Sequence, residues 1–175
     1  ALVIFVYGCG HATAFDPQDL LHFQEHGECR GCDLRGVTLR GALLAESDLT
    51  AANLSGADLE QADLSWSNLA GADLTGANLS QSILRIAVLT GANLRSAILV
   101  ETDLTGATIN RADLGDSNLE FADLTESNLN QSNLSRARLS WAFLTGATLI
   151  ETRLDGAIME GANAARANFQ SSSLK

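Results

Sequence analysis

Two successive units, ADLEQ at residues 57–61 and ADLSW at residues 62–66, share one pattern: a small residue, Asp or Asn, Leu, and two variable residues. We call these the small, Asp/Asn, Leu, first variable and second variable positions. Stepping by five from Leu34 gives 29 Leu positions, of which 25 hold Leu. The exceptions are Ile109, Met159, Ala164 and Phe169. The unit repeats without insertion over residues 32–174, and such short-period self-similarity is typical of a solenoid.

The five-residue period excludes a regular helix or a flat strand. Five residues of α-helix advance about 500°, so the Leu side chains would spiral around the axis instead of forming one stripe. In a strand, an odd period sends alternate Leu residues to opposite faces. The backbone must therefore bend once per unit. Glycine is frequent at the second variable position, where a turn with positive φ favours it.

These A-[DN]-L-X-X units resemble the pentapeptide-repeat family over 143 of the 175 residues. The resemblance implies an all-β solenoid, a right-handed quadrilateral parallel β-helix in which four units form one coil. The 29 repeats would then make about seven coils, with a rod length of roughly 35 Å. Together with an export-like N-terminus and a CxxC pair linked to an N-terminal helix, the repeats look like the thylakoid-lumenal or periplasmic members of cyanobacteria and chloroplasts. The family's roles are diverse.

The net charge of −10, from 21 acidic and 11 basic residues, excludes some functions. A chain this acidic is a poor candidate for direct binding to nucleic-acid phosphates. It could instead imitate nucleic acid, since some family members resemble duplex DNA and bind DNA gyrase.

Residues 1–14 are apolar and end in Ala12-Thr13-Ala14, which is typical of the back half of a secretory signal peptide. Two other interpretations remain open: a strand that caps the first coil, and a lipidation motif that ends in Cys9. The run is too short for a membrane span. The signal interpretation predicts export to the thylakoid lumen or periplasm, and a cytoplasmic location is the alternative.

Residues 15–28 are predicted to contain a capping helix, followed by the repeat β-helix over 29–175. Asp16 is a plausible N-cap, Pro17 suits the first helical position, and Gly27 ends the helix. A helix here would close the open bottom of the solenoid, where backbone groups and Leu side chains would otherwise be uncovered.

Cys29 and Cys32 fall at positions that point inward, and in an oxidising compartment a close CxxC pair predicts a disulfide. The alternative is a zinc site, because His22 and His26 lie one helical turn apart just before the cysteines. We favour the disulfide, with no metal and no cofactor.

Two apolar clusters interrupt the polar surface of the repeat. Phe121 and Trp141 are 20 residues apart and so lie one above the other, with Phe143 nearby. Trp66 and Ile86 are aligned in the same way on a neighbouring face. Exposed apolar clusters on soluble proteins usually bind partners. The alternative is that stacking along the ladder stabilises the sheet by a few tenths of a kcal/mol per pair.

The sequence contains no recognisable catalytic arrangement: all three histidines precede residue 27, and the Asp positions are spaced as a structural ladder. We therefore predict a non-enzymatic structural or protein-interaction module of an oxidising compartment. The alternative is a DNA mimic that binds DNA gyrase or another nucleic-acid-binding protein. The loss of Leu at Met159, Ala164 and Phe169 further predicts that the last coil is either frayed or covered by another molecule, and an end-to-end homodimer through the C-terminal coil would satisfy its open edge.

Overall fold

The computed structural model describes residues 15–175 and shows one helix followed by a solenoid. Helix α1 spans Pro17–His26. The Asp16 side chain accepts a hydrogen bond from the Gln18 backbone N–H, and Gly27 ends the helix with a φ of 72°. These are the N-cap and C-cap geometries that satisfy the free backbone groups at helix ends.

The solenoid is a parallel β-helix with a 20-residue coil. Its extended segments are single-residue bridges at the Asp/Asn positions, and each pairs in parallel with the residue 20 positions later, from Glu28 with Asp48 to Arg153 with Ser173. One coil contains four such bridges, so the solenoid has four faces. We name them by their first Leu position: face A begins at Leu34, face B at Leu39, face C at Leu44 and face D at Leu49.

Each corner between faces is a tight turn. The backbone N–H of the small position donates to the carbonyl of the Leu three residues earlier, as from Ala62 to Leu59 at 3.0 Å. Every second variable position from Gly31 to Ser171 has a positive φ, and 18 of these residues are not glycine. A left-handed conformation costs an L-residue about 1–2 kcal/mol. The turn is therefore imposed at every corner, including those where the sequence has a bulky side chain.

The core is a set of stacked Leu columns. Leu side chains from Leu34 to Leu154 are almost completely buried, and the neighbouring Ala, Ser and Thr of the small positions are buried beside them. Most buried hydroxyls are satisfied locally, as where Ser67 Oγ donates to the Leu64 carbonyl at 2.6 Å; Ser47 Oγ is an exception, without a hydrogen-bond partner among the described residues. The interior leaves little space at the small position, where the buried Val37 is the largest residue, and this explains the restricted composition of the repeat.

Helix α1 lies on the first coil. Leu20 and Phe23 are buried, and Phe15 packs partly against the same cluster. The Asp19 carboxylate accepts a hydrogen bond from the Asp33 backbone N–H at 2.7 Å, and the Asp16 N–H donates to the Asp33 carbonyl at 2.9 Å. In later coils these groups bond to the preceding coil, so α1 replaces a missing coil both in packing and in hydrogen bonding.

The last coil is more exposed to solvent than the others. Met159, Ala164 and Phe169 are only partly buried, in contrast to the Leu residues in the same columns below them. The end-to-end homodimer remains a prediction, because a single chain does not test it.

Candidate functional site

All five predicted surface residues are solvent-exposed on the solenoid. Their exposed fractions are 61% for Trp66, 45% for Ile86, 51% for Phe121, 54% for Trp141 and 49% for Phe143. Four of them occupy second variable positions, with φ between 58° and 62°. Phe143 instead occupies an Asp/Asn position and is bridged to Asp123.

The two predicted clusters border the same face. Trp66 and Ile86 lie at the corner that follows face C, whereas Phe121 and Trp141 lie at the corner that precedes it. Phe143 is on face C itself. Sequence analysis placed Trp66 and Ile86 on a neighbouring face, apart from the other cluster. The four-sided coil instead brings both clusters to opposite edges of one surface.

Face C contains two further exposed apolar residues that sequence analysis did not select, Leu43 and Ile83. Leu43 is 58% exposed and lies one coil below Asp63, outside the span from Trp66 to Trp141. Ile83 replaces Asp or Asn on this face, one coil above Asp63, and is 39% exposed. Its position in the sequence, 20 residues from Asp63 and from Asp103, could have identified it as an apolar residue in a column of aspartates. We define the apolar surface of face C as Trp66, Ile83, Ile86, Phe121, Trp141 and Phe143.

Bare glycine corners accommodate these apolar side chains. A Cβ built on Gly161 would lie 2.5 Å from Cε3 of Trp141, so the indole ring lies directly against the glycine of the next coil. A Cβ built on Gly106 would lie 3.6 Å from Cγ1 of Ile86. At each of these two corners, the glycine of the next coil leaves room for the apolar side chain of the coil before it, Trp141 or Ile86.

In earlier coils, the corner that holds Phe121 and Trp141 is occupied by polar side chains. Gln61 donates to Gln81 at 2.9 Å, and Gln81 donates to Glu101 at 2.9 Å, which forms a hydrogen-bonded ladder along the corner. These polar side chains satisfy one another within the chain. The aromatic residues that continue the column have no such polar function, so their identity requires another explanation.

The Asp and Asn side chains of the faces stabilise their own turns. Asp63 Oδ1 accepts hydrogen bonds from the Ser65 N–H at 2.9 Å and the Ser65 hydroxyl at 2.6 Å, and Asp123 Oδ1 accepts one from the Thr125 N–H at 2.9 Å. These are Asx-type contacts, in which a short polar side chain closes a turn. Such bonds give the carboxylates a structural role.

Between residues 15 and 175, one ion pair lies on face C. Arg85 Nε donates to Asp103 at 2.5 Å. Burial alone would raise the pKa of Asp103, but hydrogen bonds from Thr105 and Arg85 outweigh it and hold the pKa below its ordinary value of 3.8. The same carboxylate raises the pKa of Arg85.

We expect the Arg85–Asp103 pair to stabilise the fold above pH 4 and to lose this contribution in acid. A carboxylate whose pKa is lowered on folding contributes stability above its unfolded pKa, and that stability disappears as the pH falls through the folded pKa. Because the Arg85 side chain is 63% exposed and solvent screens the pair, we expect a contribution of about 1 kcal/mol or less. A double-mutant cycle of Arg85→Gln and Asp103→Asn, followed by urea unfolding, should show coupling at pH 7 that vanishes near pH 2. Coupling that persists unchanged in acid would contradict this.

The N-terminal cysteines and histidines do not form one cluster. Cys29 and Cys32 are joined as a disulfide, with Cα atoms 5.3 Å apart, and both residues are buried beneath α1. The His22 and His26 rings are stacked on exposed turns of the helix with centroids 4.4 Å apart. Over residues 15–175, no three His, Cys, Asp or Glu side chains are grouped as metal ligands. The zinc alternative, with His22, His26, Cys29 and Cys32 as one ligand set, is therefore not supported by this geometry.

The interpretations of residues 1–14, as a signal remnant, a cap strand or a lipidation motif at Cys9, lie outside the described residues. In the part of the chain that is described, α1 is too short and too polar to cross a membrane.

The family model for pentapeptide repeats matches the chain with eight copies. The matched segments are residues 28–65, 47–85, 72–111, 87–119, 112–149 and 144–175. No curated protein matches the chain significantly.

Several solved structures are similar to the chain. HetL, a pentapeptide repeat protein involved in heterocyst differentiation regulation in Nostoc sp. strain PCC 7120, is 28% identical, with 81% of this chain and 76% of HetL covered and a TM-score of 0.44. Rfr23 of Cyanothece 51142 is 26% identical, with 90% and 94% covered and a TM-score of 0.45. QnrB1, a plasmid-mediated fluoroquinolone resistance protein, is 13% identical, with 74% and 80% covered and a TM-score of 0.43.

Proposed function

The chain belongs to the pentapeptide-repeat family, and from this premise we propose that it is a non-enzymatic protein-interaction module that docks a partner on the apolar surface of face C. Members of the family are generally structural or interaction modules. The hydrogen bonds of the Asp and Asn side chains to their own turns support a non-enzymatic role, because these groups already have a structural function.

The observation that supports this surface most strongly is the exposure of large apolar side chains at four corners with a left-handed backbone conformation. Trp66, Ile86, Phe121 and Trp141 adopt the left-handed conformation that glycine adopts without strain, and each also exposes a large apolar side chain to water. Glycine occupies the equivalent corner in many other units. All 18 non-glycine corners share this strain, so the large exposed apolar side chain is what distinguishes these four, and an exposed apolar patch usually has a function.

A differential capture experiment tests this function. The tagged chain, the variant Trp66→Ser/Trp141→Ser and the control Ile98→Ser on face B would be incubated with extract of the native host and compared by quantitative mass spectrometry. Serine already occupies left-handed corners at Ser96 and Ser171, so these substitutions fit the backbone. We expect at least one host protein to bind the wild type and the control but not the double variant. The same protein, once purified, should bind the wild-type chain directly. Partners that all three chains retain equally would contradict docking on face C.

The charge distribution favours a second candidate, a mimic of DNA that binds a nucleic-acid-binding protein. Acidic residues outnumber basic ones on faces B and C together with their following corners, whereas on face A the two are balanced. An acidic surface of this kind is complementary to the basic surface with which a partner normally binds nucleic-acid phosphates. Inhibition of DNA gyrase supercoiling at low micromolar concentration would support this candidate over the first, and no effect would remove gyrase as the partner.

We also propose that the chain is exported to an oxidising compartment such as the thylakoid lumen or periplasm. The buried Cys29–Cys32 disulfide beneath α1 supports this location, because disulfides persist mainly outside reducing compartments. Protein isolated from its host under rapid alkylation should have Cys29 and Cys32 protected until a reductant is added. Free thiols in that sample would exclude the proposal.

A further inference from the structure

We propose that the partner segment bound by face C is a positively charged amphipathic α-helix of another protein; this inference rests on the proposed docking function. Three properties of the face support it: a closed backbone, the spacing of its apolar residues and its uncompensated carboxylates.

The backbone of face C offers few hydrogen bonds to a partner. The Ile83 N–H donates to the Ala62 carbonyl at 2.9 Å, and the Leu84 N–H donates to the Asp103 carbonyl at 2.7 Å. The same pattern recurs along the face up to Phe143 and Leu144. Addition of an extended strand requires a free sheet edge, which this face lacks. Recognition must therefore use side chains, and a helix presents only side chains to its partner.

The apolar residues are spaced for a short helix. Trp66 lies beside the coil of Leu64, and Trp141 lies beside the coil of Leu144, four coils further along the axis. With about 4.8 Å between coils, the two indoles are separated by roughly 19 Å along the axis. An α-helix needs at least about 13 residues at 1.5 Å per residue to cover this length, and it would cross the face obliquely because the two indoles lie at opposite edges. The two apolar edges would then contact apolar residues near the two ends of the helix.

The carboxylates on and beside face C specify the sign of the partner's charge. Asp63 and Asp123 on the face, and Glu126 on the corner that follows it, form no ion pair with any residue from 15 to 175. The Arg85 side chain is paired with Asp103 and acts on Asp123 only at longer range. Docking of an uncharged helix would remove water from these carboxylates without compensation. Lys or Arg side chains on the helix would compensate them and would also accelerate association. An anionic membrane and a nucleic acid, by contrast, would be repelled.

A synthetic peptide tests this inference directly. The probe is a fluorescein-labelled peptide of about 15 residues, composed of Leu and Lys, with Leu at positions i, i+3, i+4 and i+7 so that one helical face is apolar. Binding to the full chain would be measured by fluorescence anisotropy. We expect the affinity to fall at least about tenfold in Trp66→Ser/Trp141→Ser, because buried aromatic anchors dominate such interfaces. We expect a smaller loss in Asp63→Asn/Asp123→Asn, with a weaker dependence on salt.

Matched controls separate specific docking from general attraction between opposite charges. Ile98→Ser on face B and Asp73→Asn on face A remove similar groups elsewhere and should leave the affinity unchanged. A peptide of the same composition with alternating Leu and Lys, which suits a strand, should bind more weakly. Circular dichroism of each variant would verify that it is folded.

Three results would overturn the inference: equal loss of affinity in the face A and face B controls, equal or tighter binding of the alternating peptide, or tighter binding to vesicles of anionic lipid than to the peptide. If the captured native partner depends on Trp66 and Trp141 but the helical peptide does not bind, the docking function stands and the helical, cationic partner is excluded. If neither depends on these residues, both proposals fail.

Discussion

Replacing Leu104 with alanine is expected to lower the free energy of unfolding by about 2–5 kcal/mol, the range for a buried Leu that leaves a cavity. Leu104 is 1% exposed and lies in the middle of the Leu column of face C. The surrounding backbone cannot easily collapse into the cavity, because the Leu84 and Leu104 N–H groups are bonded to the next coil. Urea unfolding followed by circular dichroism would measure the change.

Leu174→Ala is the matched control for this prediction. It removes the same atoms at the same position of the repeat, but Leu174 is 68% exposed. We expect it to change the free energy of unfolding by less than about 0.5 kcal/mol. Similar losses for the two variants would show that the Leu columns do not stabilise the solenoid through burial.

Replacing Phe23 with alanine is expected to detach helix α1 from the first coil. Phe23 is completely buried, and truncation of a buried Phe costs about 3–5 kcal/mol. The helix has few other apolar contacts, chiefly Leu20, so the loss should appear as local opening rather than global unfolding. Faster hydrogen exchange in α1 and faster reduction of the Cys29–Cys32 disulfide would reveal it, because the helix covers both cysteines.

The control on the same helix is Leu21→Ala. Leu21 is 47% exposed, so its truncation should leave both rates nearly unchanged. If Phe23→Ala protected the disulfide as well as the wild type does, α1 would not be the element that closes this end of the solenoid. Unchanged exchange throughout the solenoid coils in Phe23→Ala would show that the effect is confined to the cap.

The repeat was predictable from sequence because the same residue pattern recurs in nearly every unit. A period of five excludes both regular secondary structures, and the residues from Leu34 to Leu154 at the Leu positions occupy the core as expected. The limits of helix α1 were also readable, since Asp16, Pro17 and Gly27 each have a local role at a helix end. The frequency of glycine at corners indicated a turn, but it did not reveal that every non-glycine corner has the same positive φ. That follows from the closure of the coil, which fixes the turn whatever its side chain.

The candidate site was predictable only in part. Its residues are detectable as departures from the repeat, since Trp66, Ile86, Phe121, Trp141 and Phe143 are large and apolar where the unit is usually polar or glycine. Ile83 was visible as a departure but was not connected to them. Their common location was not visible, because it depends on which corners flank a face.

The sequence alone determined the period, the inward position of the Leu side chains, the capping helix and the acidity of the surface, because each of these depends on local pattern or composition. Only the tertiary structure decided that two clusters separated by more than 30 residues in the sequence border one face. It also decided that Asp19 of α1 accepts the hydrogen bond of Asp33. The physical reason is the same in both cases: a 20-residue coil with four corners brings together residues that are distant in the chain, and local preferences do not encode that closure.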